Sequence, residues 1–361
     1  MLRLFGAIFG AGWRIRFAHR TFAWDSEANG KAAVHCVIVG FDRQAEPRPR
    51  LWDYPDLQGH PLFVPVEGEI NAYLVDGPNV LVEKRGTPLS SAITPAFFGN
   101  MPRDGGNLIV EVEEYEDVIA DPIAAKYVRP YRGSRELLGN QDRWCLWLEN
   151  MDLADISRSP ILQKRVKAVA EMRSKSTASS TRAMAATPHL FGQRSQPETD
   201  FLCMPRVVSE NRRYFTTQRF PASVIVSDAV FHAQDLDGLQ FALASSSMFI
   251  TWQRTVGGRL KSDLRFANTL TWNTFPVPKL NGAERERIIQ AGKDVIAARE
   301  LRPQRSLAQH YNPSAMDPAL VDAHGALDLE VDQVFGASAR LSNERQRQGL
   351  LFDSYAELTR S

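Results

Sequence analysis

The spacing of apolar and polar positions divides the chain into strand-like, mixed and helical stretches. Residues 15–41 read "IRFAHRTFAWDSEANGKAAVHCVIVGF", two apolar strand-like runs flanking a polar turn segment at residues 25–31. The pattern predicts a hairpin. In its second run Val37, Ile38 and Val39 follow one another unbroken, which suits a strand covered on both faces. A two-stranded hairpin is marginal in water, so the pattern implies further strands of the same sheet. The preceding "MLRLFGAIFGAGW" reads as a helix rather than a targeting peptide. The run is short, lacks a clear small-x-small cleavage site and passes directly into a strand pattern.

Residues 42–61, "DRQAEPRPRLWDYPDLQGHP", are rich in Pro and charge and predict a loop. Asp76-Gly77-Pro78-Asn79 predicts a turn between two short extended runs, and Asp104-Gly105-Gly106 a second turn before a strand over residues 108–112. The strongest helix begins at Ser159, a capping residue, with Pro160 at the first helical position and Pro188 closing the pattern. At helical spacing Leu162, Val166, Val169 and Met172 share a sector about 120° wide, with Lys164, Lys167, Lys175 and Arg182 opposite them. "FLCMPRVVSENRRYF" reads as strand, loop, strand. "ALASSSMFITWQRTV" reads as a helix capped near Ser245. "GGRLKSDLRFANTLTWNTFPVP" reads as a basic loop entering a strand closed by Pro276 and Pro278. Three helices follow: "GAERERIIQAGKDVIAARELR", one opened by Asp317-Pro318 and running to Gly336, and one over residues 343–358.

Composition adds bounds. The 361 residues, 43% hydrophobic and 24% charged, suit a globular protein of two or three domains. Net charge is +1, so overall charge makes no case for nucleic acid, but the charge is segregated. Residues 157–182 hold seven Lys/Arg against Glu171 alone, and residues 110–121 hold six acids and no base. Cys36, Cys145 and Cys203 are scattered and odd in number, which fits a reducing cytoplasm and no disulfide framework. No His/Cys spacing suggests a metal site, and no stretch is long enough to span a membrane.

Chemistry-bearing motifs are sparse. Phe9-Gly10-Ala11-Gly12 resembles a nucleotide-cradling turn, but such a turn follows a strand and opens a helix, whereas here a strand follows. There is no Walker lysine motif, no Gly-x-Ser-x-Gly elbow and no paired carboxylate in a hydrolase setting, so no catalytic residue is expected. Basic, aromatic and amide side chains interleave in two loops instead. One holds Arg206, Glu210, Arg212, Arg213 and Tyr214; the other holds Arg259, Lys261, Arg265, Phe266 and Asn268. Arg, Asn and Glu can match guanine, adenine and cytosine edges, and Lys and Ser suit phosphates. A pair of exposed loops held by salt bridges, such as Lys261 to Asp263, fits the composition equally well.

The stretch over residues 15–41 and "INAYLVDGPNVLVEKRGTPL", "FGNMPRDGGNL", "KYVRPYRGSRELL", "RWCLWL", "ASSTRAMAATPHLF", "PRVVSENRRYF" and "SSSMFITWQRTVGGRLKSDLRFANTLTWNTFPVP" together resemble the MmeI-like family. These are DNA adenine methyltransferases of restriction-modification and phage-defence systems. The resemblance covers nearly the whole chain in order. It implies an α+β chain in three parts: the terminal strands of a Rossmann-type methyltransferase sheet with a linker (1–85), a mixed α/β target recognition domain (86–280) and a C-terminal helical domain (281–361). It implies that the S-adenosylmethionine glycine loop, the Asn-Pro-Pro-Tyr type motif and the nuclease lie outside this sequence. Asn312-Pro313 is followed by Ser and does not replace that motif. The chain alone is then expected to bind no cofactor, with S-adenosylmethionine serving the complete enzyme. Its expected partners are double-stranded DNA and a methyltransferase half, which is separately encoded if the chain is a stand-alone specificity subunit. The resemblance places base reading at Glu210 and Arg212, with Arg213 beside them. It places phosphate or base contacts at Arg259, Lys261 and Arg265.

Overall fold

The computed structural model describes residues 2–24, 34–44, 46–56 and 58–360. Helix α1 (Leu2–Gly10) leads into β1 (Arg14–Trp24), which pairs antiparallel with β2 (Val34–Asp42). The turn expected at residues 25–31 lies outside the described residues. β3 (Arg50–Asp53) runs parallel to β1, and β4 (Leu62–Val64) antiparallel to β3, giving the order β2-β1-β3-β4. The loop expected over residues 42–61 therefore contains a strand. Pro47, Pro49 and Pro55 flank β3 rather than interrupt it; Leu51 is buried and the Trp52 ring stacks on His19 at 4.6 Å. β2 also departs from expectation. It is an edge strand, and the neighbours Val37 and Ile38, which point to opposite faces, are 52% and 42% exposed.

The extended runs expected around Asp76 do not form strands. An isolated bridge between Ile70 and Asp76 closes a loop that reverses over residues 71–74, with Leu74 at φ +56°. The Asn71 side chain accepts from the amides of Tyr73 and Val75, so local bonding replaces a ladder.

A second unit follows. β5 (Ala96–Phe98) and β6 (Ile109–Val110) are separated by the expected turn, where the Asp104 carboxylate accepts from the amides of Gly106 and Leu108, and Gly105 and Gly106 take φ +65° and +87°. Then come α2 (Tyr115–Ala120), β7 (Val128–Arg132), α3 (Ser134–Gly139), β8 (Trp144–Leu146), α4 (Ala154–Arg158), α5 (Pro160–Ser174) and α6 (Ser179–Ala183). Ser159 caps α5 by accepting the Leu162 amide at 3.0 Å, and Leu162, Val166 and Val169 pack into a core with β6 and β8. The helix ends at Ser174 instead of continuing towards Pro188. Buried Arg173 explains the stop. Its Nε donates to Arg103 O, Nη1 to Met184 O and Thr187 O, and Nη2 to Pro102 O and Leu190 O, at 2.7–3.1 Å. Every donor of the guanidinium is used, and the chain after Ser174 folds back to supply three of the five carbonyls, the other two coming from Pro102 and Arg103.

β9 (Phe201–Pro205), β10 (Val207–Val208), β11 (Gln218–Phe220), β12 (Ile225–Val226) and β13 (Val230–Gln234) precede α7 (Leu239–Ser245), α8 (Ser247–Val256), β14 (Gly258–Leu260) and β15 (Asp263–Arg265). They form sheets ordered β11-β9-β13-β5, β12-β7-β8-β6 and β10-β15-β14. The helix cap expected near Ser245 falls on Ser246, which takes ψ 154° and opens α8 by accepting the Phe249 amide, and the residues before it form a second helix, α7. The basic loop expected after it is the β14–β15 hairpin, and the expected strand is a π-helical turn over Asn268–Trp272.

The helices α9 (Gly282–Glu300), α11 (Pro318–Val334) and α12 (Glu344–Arg360) match their sequence pattern, with short α10 (Leu307–His310) between the first two. α9 packs on α7, α11 on α9 and α12 on α8, within one core running from Val75 to Tyr355. Several small sheets, two mixed and two antiparallel among the described residues, and a helical C-terminal region thus make up the α+β chain. No described helix is long and apolar enough to cross a membrane.

A buried polar chain links this core. Arg299 donates from Nε to Tyr311 Oη at 2.9 Å and from Nη1 to Thr217 O at 2.9 Å, and Tyr311 Oη bonds His324 Nε2 at 2.8 Å. Tyr214 stacks on His324 at 3.8 Å. Burial first, then the Arg299 charge, holds the His324 pKa well below that of a free histidine. Unfolded chain therefore takes up this proton first as pH falls. The stability is full above the unfolded value near 6.5 and declines below it. Thermal denaturation at pH 7.5 and 5.5 should show a lower Tm at the acid pH, and His324→Gln should flatten that difference. Equal pH dependence in the two proteins would refute the assignment.

Candidate nucleic-acid interface

The sheet β10-β15-β14 unites the two candidate loops. β10 enters the loop at residues 209–213, and β14 and β15 flank the turn at Lys261 and Ser262. Val207 pairs with Arg265 and Val208 with Leu264, while Gly258 and Arg259 pair with the same two residues from the other side. Glu210, Arg212, Arg213, Arg259, Lys261 and Arg265 are thereby gathered at one sheet.

Contacts there are unequal. Arg259 Nη1 lies 3.6 Å from Glu210 Oε2, and both side chains are nearly half exposed. Such a pair is worth about 0–1 kcal/mol, so it can be exchanged for other partners at little cost. The ion pair considered between Lys261 and Asp263 is not formed; Asp263 Oδ1 instead accepts the Glu210 amide at 3.3 Å. Lys261 occupies the left-handed region with φ +57°, and its side chain, like that of Arg265, is exposed. Arg213 is exposed, its guanidinium over the Tyr214 ring at 5.8 Å. Arg212 is half-buried: Nη1 donates to Ala308 O of α10 at 2.7 Å, leaving its other donors uncommitted. Asn268 lies half-buried in the π-helical turn, where Nδ2 donates to Ala96 O at 2.8 Å and ties that turn to β5.

The other candidates occupy the separate core around α5. Lys164 and Lys167 are exposed on its outer face, and Lys175 is exposed at its C-cap. Arg182 is on α6 rather than a continuation of α5, and its Nη1 donates to the carbonyls of Ser176 and Thr177.

Two further arginines act here, Arg254, which the pattern did not single out, and Arg206, one of the loop residues above. Arg254 at the end of α8 donates to Glu210 O at 3.2 Å and Arg212 O at 2.5 Å, and pairs with Glu344 of α12. Burial, then the nearby Arg259 charge, lowers its pKa. Arg206 stacks over the half-exposed Phe98 ring at 5.3 Å. Neither role has a sequence signal beyond an Arg next to an apolar run.

The glycine turn near the start does not fit S-adenosylmethionine. The amides of Ala11, Gly12 and Trp13 donate to the carbonyls of Ala7, Phe9 and Ile8, so the turn caps α1 and presents none of these donors to a ligand. Among the described residues no group of three or more His, Cys, Asp or Glu is placed to hold a metal ion.

Family models place this geometry. That for "MmeI, target recognition domain" matches residues 76–279, "MmeI, C-terminal domain" residues 280–361 and "MmeI, DNA-methyltransferase domain" residues 1–53. The chain belongs to the MmeI family. It is 32% identical over 357 residues to DNA methyltransferase A of Bacillus subtilis (strain 168), covering 99% of this chain and 40% of that protein. It also matches a solved structure of the Type IIL restriction-modification enzyme MmeI in complex with DNA, with TM-score 0.83 and 38% identity, over 99% of this chain and 48% of that one. The chain thus spans less than half the length of either MmeI-family relative.

Arg254 fixes the backbone of the 209–213 loop through two carbonyls, a stronger tie than the exposed Glu210–Arg259 pair. Arg254→Ala should speed trypsin cleavage after Arg212 or Arg213 by roughly ten-fold without changing the far-UV spectrum. Cleavage at the wild-type rate would show that the loop is held by other contacts.

Proposed function

We propose that this chain is the DNA-recognition portion of a site-specific adenine-N6 DNA methyltransferase of a restriction-modification or phage-defence system. It grips double-stranded DNA and reads a short site. Methyl transfer from S-adenosylmethionine is carried out by methyltransferase residues beyond these 361. The observation that carries the reading is the joining of two basic, polar loops into one small sheet within the stretch matched by the recognition-domain model. The related MmeI structure, solved in complex with DNA, supports the same reading.

In this reading Lys164, Lys167, Lys175, Arg182 and Lys261 contact phosphates. Glu210 and Arg212, with Arg213 adjacent, read base edges, a carboxylate matching cytosine and a guanidinium matching guanine. Arg259 and Arg265 supply further phosphate or base contacts, and Asn268 holds the turn behind them. The Arg212 bond to Ala308 leaves donors for a base while fixing where the guanidinium starts.

A stand-alone specificity subunit that recruits a separately encoded methyltransferase half is the second reading. It is favoured by β2, whose exposed apolar faces and open edge suit another protein surface or strand. A complementing methyltransferase polypeptide that restores activity on mixing would support it.

The 361-residue chain alone should transfer no labelled methyl group to duplex DNA; incorporation above a protein-free blank would overturn this. It should bind duplex DNA with a log–log salt slope of roughly −4 to −5, corresponding to about five phosphates neutralised. A folded sample that fails to bind at low salt, or binds independently of salt, would refute the electrostatic grip.

Grip and readout should also separate. Changing Lys164, Lys167, Lys175 or Lys261 to Ala should weaken binding on all sequences alike and flatten the slope by about one unit. Exchanging Glu210 and Arg212 in an active, complemented enzyme should change the preferred base at one position by about 1–3 kcal/mol. An unchanged methylation site would move readout to Arg259 and Arg265.

A further inference from the structure

Paired residues of an antiparallel ladder share a face. Leu264, 1% exposed, marks the inward face of the small sheet and shares it with its partners Arg259 and Val208. The outward face therefore carries Val207, Gly258 and Arg265 as one paired row, and Leu260 with Asp263 as the next. Leu260, at the end of β14, is 53% exposed beside the two-residue turn. A single exposed leucine is ordinary. This one differs in its setting: exposed Lys261 follows it in the turn, and on the outward face its partner Asp263 and then exposed Arg265 lie beside it. The acids nearby are occupied: Asp263 accepts the Glu210 amide and Glu210 pairs with Arg259. Nothing lies within 4 Å of a Cβ built on Gly258, so the outward strip of β14 is open next to the leucine.

We propose that Leu260 is an apolar wedge that enters a groove of duplex DNA and presses on a base step, while Lys261 and Arg265 hold the flanking phosphates. Apolar side chains inserted between base steps unstack them, and adjoining cations fix the backbone on either side. A hairpin pinned by β10 supplies the stiffness a wedge needs; a free loop would yield before the stack did. The proposal rests on the DNA-binding reading above, and it assigns the hairpin a deforming role distinct from grip and base readout.

The test uses the full chain, linear duplex DNA of mixed sequence at low salt, and two readouts: binding anisotropy across a salt series, and permanganate oxidation of thymines, which reports unstacking. Bound wild-type protein should raise thymine reactivity above that of free DNA. Leu260→Ala should keep the salt slope, bind roughly ten-fold more weakly and lose the added reactivity. Gly258→Val has room for its side chain in a strand and should also lose the reactivity, by filling the strip; it serves if the leucine variant misfolds. DNA that wild-type protein binds but leaves no more reactive than free DNA would overturn the wedge alone, as would Leu260→Ala matching wild type in both readouts. No binding by folded wild type would overturn the underlying reading as well.

Discussion

The C-terminal helices and the sheet β10-β15-β14 share one hydrophobic core, and the candidate interface depends on that shared packing. α9 lies so close to α7 that a Cβ on Gly292 would come within 2.7 Å of the Ala242 Cβ. Below that crossing, Arg299 reaches the carbonyl of Thr217, just before β11, and the Tyr311 hydroxyl. A guanidinium buried there without those acceptors would cost several kcal/mol, so the helices and the strands must dock together or not at all. The consequence reaches the 209–213 loop. Arg212 bonds a carbonyl of α10, and Arg254, which holds the loop backbone, pairs with Glu344 of α12. Helices without a basic face of their own thereby set where the loop stands.

What could be read from the sequence follows from where the information is local. Ser159-Pro160, Asn281 with Glu284, and Asp317-Pro318 place helix starts because a cap is satisfied within four residues. β3 escaped because its signal is tertiary. Arg50 to Asp53 is a short run among prolines, and it becomes a strand only because β1 presents a parallel edge and His19 a ring for Trp52. The β14–β15 hairpin escaped for a related reason, since Lys261-Ser262 is not a favoured turn pair. A lysine at φ +57° persists because β15 is held on both sides, by the ladder to β14 and by the ladder to β10.

Charge was legible as composition and less so as placement. Of the basic residues between Arg158 and Arg182, Arg173 points inward and spends every donor on backbone carbonyls. Arg165 likewise donates to the carbonyls of Asn107 and Ile109 and pairs with Glu114. Lysines at 164, 167 and 175 stay exposed. The division has a physical cause. A guanidinium is weakly hydrated and planar enough to serve several fixed carbonyls, whereas an ammonium holds its water and stays outside. Within α5 the buried contacts therefore run through Arg165 and Arg173, while the surface potential comes from the lysines together with exposed Arg158 and Arg182 at the ends of the stretch.

The same contrast organises the sheet β10-β15-β14. Its backbone is held firmly by two ladders, by Arg254 on the carbonyls of residues 210 and 212, and by Phe266 on the Arg206 carbonyl. Its polar side chains are held by few contacts: an exposed pair between Glu210 and Arg259, one carbonyl bond each from Arg212 and Arg259, and exposed Lys261 and Arg265. A surface built this way loses little when its side chains change partners, because the ordering of the backbone is already achieved in the folded chain. Arg212 is the exception, since its bond to Ala308 ties the surface to α10. A firm backbone with weakly tied side chains is the combination by which a surface can change partner preference while its scaffold stays the same.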